Sequence, residues 1–74
     1  MNKSQMETLR GLRMAANKTT NEVAEKLGVT QSAIIKYENG KRKINIEQVL
    51  ILAKLYDVTA EEVIIAQLSE RPKI

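Results

Sequence analysis

Two short, apolar-patterned segments in the middle of the chain are separated only by Gly28, Val29 and Thr30. That spacing constrains the fold more than any other feature. Thr19 and Glu22 have capping-box spacing, which predicts a helix from Thr20 to Leu27 with Val23, Ala24 and Leu27 inward. Thr30 caps a second helix, expected from Gln31 to Asn39, with Ile34 and Tyr37 inward and Ala33 partly so. A connection this short forces the two helices to cross steeply and pack tightly. Close crossing needs a small residue at the contact, Ala24, and a turn residue free of Cβ strain, Gly28. Val29 adds an apolar anchor between them. The second helix is thereby presented outward.

The same reasoning reads three further helices, and no segment alternates like a strand, so the fold class is all-α. Ser4 with Glu7 predicts a first helix starting near Gln5, with Met6, Leu9, Leu12, Arg13 and Ala16 on one stripe and Asn17 as a left-handed stop. Asn39-Gly40 is a turn dipeptide, and Lys41 to Asn45 follows as a basic loop. Asn45 with Gln48 starts a helix over Ile46 to Tyr56, with Ile46, Val49, Leu50, Leu52, Ala53 and Tyr56 inward. Thr59 with Glu62 starts the last, over about Ala60 to Leu68. Residues 1–68 are expected to form one domain, and 69–74, with the single Pro, a frayed tail.

Composition removes most chemistry. There is no Cys and no His among the 74 residues, so thiolate metal sites, disulfides and the commonest general base are excluded. No nucleophile–base pair or carboxylate dyad is visible; Glu61-Glu62 sits at a helix start, where negative charge is stabilising. No catalytic residue, metal or cofactor is expected. The longest apolar run, Val49 to Ala53, is far below the roughly 20 residues of a membrane span. No signal-peptide core is seen at the N-terminus, so a cytoplasmic location is expected. Residues 1–43 hold nine basic and four acidic side chains, and residues 44–74 three and five. A basic front half suits a polyanion partner. With two Tyr as the only aromatics, single-strand stacking platforms are poorly supplied.

The two central helices together make a helix-turn-helix, whose second helix can enter a DNA major groove. The run from Thr19 to Gly40, above all Ala24, Gly28-Val29, Ile34 and Tyr37-Glu38-Asn39-Gly40, resembles the lambda-repressor-like (Cro/cI, or Xre) family. Ile46 to Ile64 is similar to that family's fourth and fifth helices, so the likeness covers about Met6 to Ile64. It implies a five-helix fold and sequence-specific binding of duplex DNA. It also implies a small Cro-type transcriptional repressor of bacterial or phage origin. There are departures. The family often has Gln where Thr20 stands, reaching a phosphate and bracing the recognition helix; a hydroxyl can bond a phosphate but is expected not to brace a base-reading side chain. Lys18 replaces an apolar plug.

Facing assigns the roles. With Ile34 and Tyr37 inward, Gln31, Ser32, Ile35 and Lys36 point outward as candidate base contacts. Thr19, Thr20, Thr30, Asn39, Lys41, Arg42 and Lys43 are candidate phosphate contacts. Thr19 and Thr30 are also plain N-caps, and the two roles coexist. The resemblance further implies a salt bridge between Arg13 and Glu38, clamping helix 1 to the recognition helix. Ile51 and Leu55 lie opposite the expected core face of the fourth helix, and the fifth is apolar nearly all round. Ile51, Leu55, Ile64, Ile65 and Leu68 therefore read either as scattered surface residues or as a homodimer interface reading a palindromic site. A protein-interaction module or antitoxin on the same fold is the alternative function.

Overall fold

The computed structural model describes residues 8–69, which fold into five helices with no strand among them. They are α1 (Leu9–Ala15), α2 (Thr20–Leu27), α3 (Gln31–Glu38), α4 (Ile46–Tyr56) and α5 (Ala60–Leu68). Every start is capped by a side chain. Thr8, Thr19, Thr30, Asn45 and Thr59 each hold extended backbone and accept the N–H three residues on. At α2, α4 and α5 the cap is reciprocal, with Glu22, Gln48 and Glu62 accepting the cap residue's own N–H. These bonds satisfy donors that a helix leaves orphaned, and each cap is worth about 1 kcal/mol. Accepting the Thr19 N–H holds the exposed Glu22 carboxyl below its ordinary pKa.

Four of the helices also end alike. Asn17, Gly28, Gly40 and Asp57 adopt left-handed backbone, with φ of 60°, 70°, 77° and 57°. The residue after each donates back into the helix: Lys18 to Arg13, Val29 to Ala24, Lys41 to Lys36 and Val58 to Ala53. This is the Schellman geometry, which satisfies last-turn carbonyls and turns the chain sharply. Gly28 is the position where the conformation matters most, because α3 must start three residues later.

The predicted boundaries of α2, α4 and α5 are those observed, and α3 ends one residue earlier. Helix α1 differs. The Ser4–Glu7 capping box and Met6 lie outside the described residues. Thr8 is extended (φ −106°, ψ 158°) and caps α1, which starts at Leu9.

One core joins all five helices. Leu9, Leu12, Val23, Ala24, Ala33, Ile34, Tyr37, Val49, Leu52, Ala53, Tyr56, Val63 and Ala66 are buried, with Leu27 and Val29 packed against them. Helix α2 packs chiefly on α3, and α4 on α5. Ile46 and Leu50 were expected inward but are 70% and 56% exposed. The physical reason is width. Six apolar positions were assigned to one face of an eleven-residue helix, and Val49, Leu52, Ala53 and Tyr56 already fill it. Leu55, expected outside, is half-buried and packs against the core.

Two polar ties across the core have no local sequence signal. The Gln48 amide, besides capping α4, donates to the Tyr37 hydroxyl at 3.1 Å, joining α3 to α4. Ile44, within the basic loop, is buried, and its N–H donates to Gln67 Oε1 at 2.6 Å. Leaving that amide without an acceptor would cost about 1–3 kcal/mol.

Burial raises the pKa of Tyr56 well above the ordinary phenol value; neighbouring Glu38 raises it further and Arg13 opposes. A raised folded-state pKa contributes stability that is complete below the unfolded value of about 10 and is lost as pH rises beyond it. Thermal melts should therefore fall as pH rises above about 10. Tyr56→Phe should flatten that fall; an unchanged pH dependence in the variant would refute the assignment.

Candidate nucleic-acid interface

The interface is built on α3 and the segments that flank it. Burying Ala33, Ile34 and Tyr37 fixes the rotation of α3. Gln31, Ser32, Ile35 and Lys36 then lie exposed on its outer face. Ile35 is a large apolar side chain left in water beside polar ones, which a solvated helix face alone does not require. Thr19, Thr30 and Asn39 are exposed, and Thr20 is half-exposed. Lys41, Arg42 and Lys43 follow the Gly40 turn directly and are all exposed.

One pair contradicts the sequence reading. Gln31 Nε2 donates to Thr20 Oγ1 at 2.9 Å, although the residues are eleven apart. A threonine hydroxyl was expected not to brace a side chain across this gap. It does so because the tight α2–α3 crossing brings the first turns of the two helices together. With Nε2 anchored, the Gln31 carbonyl oxygen and its second N–H remain available.

Arg13 sets where α3 sits. Its Nε donates to Glu38 Oε2 at 2.7 Å and its Nη2 to Glu38 Oε1 at 3.3 Å, a two-point contact. Its Nη1 donates to the Lys18 carbonyl at 3.0 Å. One guanidinium thus ties α1, the turn after it and the last residue of α3 together. The side chains are only 13% and 9% exposed. Donating to the Glu38 carboxylate raises the Arg13 pKa, against the opposing effect of burial. The Arg13–Glu38 pairing implied by the family resemblance is thus present. The Lys18 anchor was not foreseen; the left-handed Asn17 before it was the only hint.

The remaining exposed large apolar residues among those described are Met14 on α1 and Ile46, Leu50, Ile64, Ile65 and Leu68 on α4 and α5. Ile51 is half-buried and, with Glu47, Leu50, Ala53, Lys54 and Ala60, lines an open groove between the two helices. Among the described residues no cluster of Asp or Glu could hold a metal ion, and no helix is long and apolar enough to cross a membrane.

Comparison with known proteins agrees with this geometry. A family model described as Helix-turn-helix matches residues 9–63, which is α1 to the middle of α5. Over 58 residues, 78% of the chain, it is 36% identical to YobD of Bacillus subtilis, an uncharacterised HTH-type transcriptional regulator. Over the same length it is 38% identical to BcrR of Enterococcus faecalis, an HTH-type transcriptional activator. The matched part spans 52% of YobD and 28% of BcrR. No solved structure matches significantly.

Removing Arg13 strands a mostly buried carboxylate. Arg13→Ala should cost about 2–4 kcal/mol, lowering the melting temperature by 10 °C or more. Arg13→Lys should recover only part of that, since an ammonium cannot make the two-point contact. A melt of the alanine variant that matches the parent would refute the clamp.

Proposed function

Because the chain belongs to the helix-turn-helix family of the Xre/Cro-cI kind, we propose that it regulates transcription by sequence-specific binding of duplex DNA. The observation that carries this reading is the exposed face of α3, held at a fixed angle by the Arg13–Glu38 pair and followed at once by three cations. The N-terminal half of α3 enters the major groove, and Gln31, Ser32, Ile35 and Lys36 meet base edges. Gln suits adenine, Lys suits guanine, and Ile35 suits a thymine methyl. Thr19, Thr20, Thr30, Asn39, Lys41, Arg42 and Lys43 bond phosphates and set the register. A compartment that holds bacterial DNA, the cytoplasm, follows from that partner.

The Thr20 hydroxyl accepts from Gln31 and keeps its own hydrogen for a phosphate. The Gln31 amide is then oriented with its oxygen outward, offering the acceptor and donor that an adenine edge needs. Two copies related by a two-fold axis bring Ile64, Ile65 and Leu68 together, with Leu50 and Ile46 at the margin. That dimer sets two α3 helices about 34 Å apart on a palindromic site. Repression by occupying a promoter needs nothing beyond this fold, and is the direction of control we favour. A protein-interaction module is the second reading, favoured by the same apolar residues on α5.

The test is selection from a randomised duplex pool at two salt concentrations. A palindromic motif with half-sites one helical turn apart is expected. Sequence-blind binding that vanishes with added salt would reject base reading and bring the interaction module forward. Within the selected motif, Thr20→Val should lower discrimination at one base pair about five- to tenfold, part of the roughly 1–3 kcal/mol of a bidentate contact. Thr20→Ser should keep it. Equal discrimination in parent and valine variant would count against the bracing.

A further inference from the structure

We infer that Gln67 is a positioning residue for the basic loop. Its side-chain carbonyl holds the Ile44 amide, and so fixes the place from which Lys41, Arg42 and Lys43 meet a phosphate backbone. The inference rests on the DNA-binding reading above.

The loop is suspended between two anchors. At its start, Gly40 turns at φ 77° and the Lys41 N–H donates to the Lys36 carbonyl at 2.9 Å, so the chain leaves α3 in a fixed direction. At its end, the Ile44 side chain is buried and its N–H donates to Gln67 Oε1 at 2.6 Å. Asn45 is then committed as the cap of α4. Only residues 41–43 lie between, all exposed, and among the described residues no carboxylate pairs with them. With both ends held, three residues have little slack, and their cations are kept together on one short arc.

The acceptor comes from the last turn of α5, 23 residues along the chain, and from a side chain rather than the backbone. A neutral amide is suited to this place. A carboxylate there would also accept the Ile44 N–H, but would set an anion beside three cations that must face another polyanion. Shortening or capping Gln67 frees the Ile44 end of the loop while leaving every cation in the chain. The loss should then appear in how many phosphates are engaged at once, not only in stability.

The experiment measures binding of a labelled random-sequence duplex to the full chain across a potassium chloride titration. It is run at a temperature where circular dichroism shows each variant fully folded. The reference variant is Lys41→Ala/Arg42→Ala/Lys43→Ala, expected to lower the slope of log K against log salt by about two to three units. Gln67→Met is expected to lower it by about one unit or more. If Gln67→Met does not fold, Gln67→Asn, which keeps the amide but is one methylene short, takes its place with the same expectation. A purely stabilising role would leave the slope of the folded protein unchanged. A reduced slope in the triple variant with an unchanged slope in the Gln67 variant overturns the positioning role and leaves the loop's contact with DNA standing. An unchanged slope in the triple variant overturns both.

Discussion

The interaction on which the recognition surface depends is the two-point contact between Arg13 and Glu38. Both charges are largely out of water, so neither tolerates the loss of the other. Such pairs contribute little net stability compared with apolar residues of the same size. What this one supplies is geometry. The guanidinium is planar and makes a third bond, to the Lys18 carbonyl. It therefore fixes the end of α3 against α1 and against the turn leading into α2. The hydrophobic contacts of Ile34 and Tyr37 bury one side of α3, and the Gln48–Tyr37 hydrogen bond holds it to α4. The ion pair adds a fixed point at the C-terminal end of α3.

A second kind of constraint repeats along the chain. Each described helix starts on a Thr or Asn cap, and four end on a left-handed residue. These devices are local, but their effects reach the surface. The turn at Asn17 delivers the Lys18 carbonyl to Arg13. The turn at Gly28 lets α2 and α3 meet closely enough for Thr20 to hold Gln31. The turn at Gly40 launches the basic loop. Helix ends, more than helix faces, determine where the candidate DNA contacts stand. Helix α5 serves both surfaces, since Gln67 reaches the basic loop from beside the exposed Ile64 and Leu68.

This division explains what could be read in advance. The limits of α2, α4 and α5 were legible because capping boxes and stop residues act within three or four positions. The outward set Gln31, Ser32, Ile35 and Lys36 followed from helical periodicity once Ile34 and Tyr37 were placed inward. Periodicity failed at Ile46 and Leu50, because apolar character names candidates for the core without saying how many a neighbouring helix can cover. The cap of α1 at Thr8 was not read, because no acidic or amide residue stands three positions on to complete a capping box; Gly11 does. The Thr20–Gln31 and Ile44–Gln67 bonds join residues 11 and 23 positions apart and exist only after the helices cross. Ile44 itself was masked by the charged run around it.

The local origin of the caps and turns also bears on how quickly the chain folds. Consecutive helices α2–α3 and α4–α5 make the most intimate contacts, so little loop-closure entropy precedes the first packing. Chains dominated by such near-neighbour contacts fold on the order of microseconds to milliseconds. The two ties that span more than twenty residues come later: Arg13–Glu38 needs α1 to meet α3, and Ile44–Gln67 needs the basic loop to meet α5. Assembly thus has two layers in time, with neighbouring helical pairs first and these longer ties last.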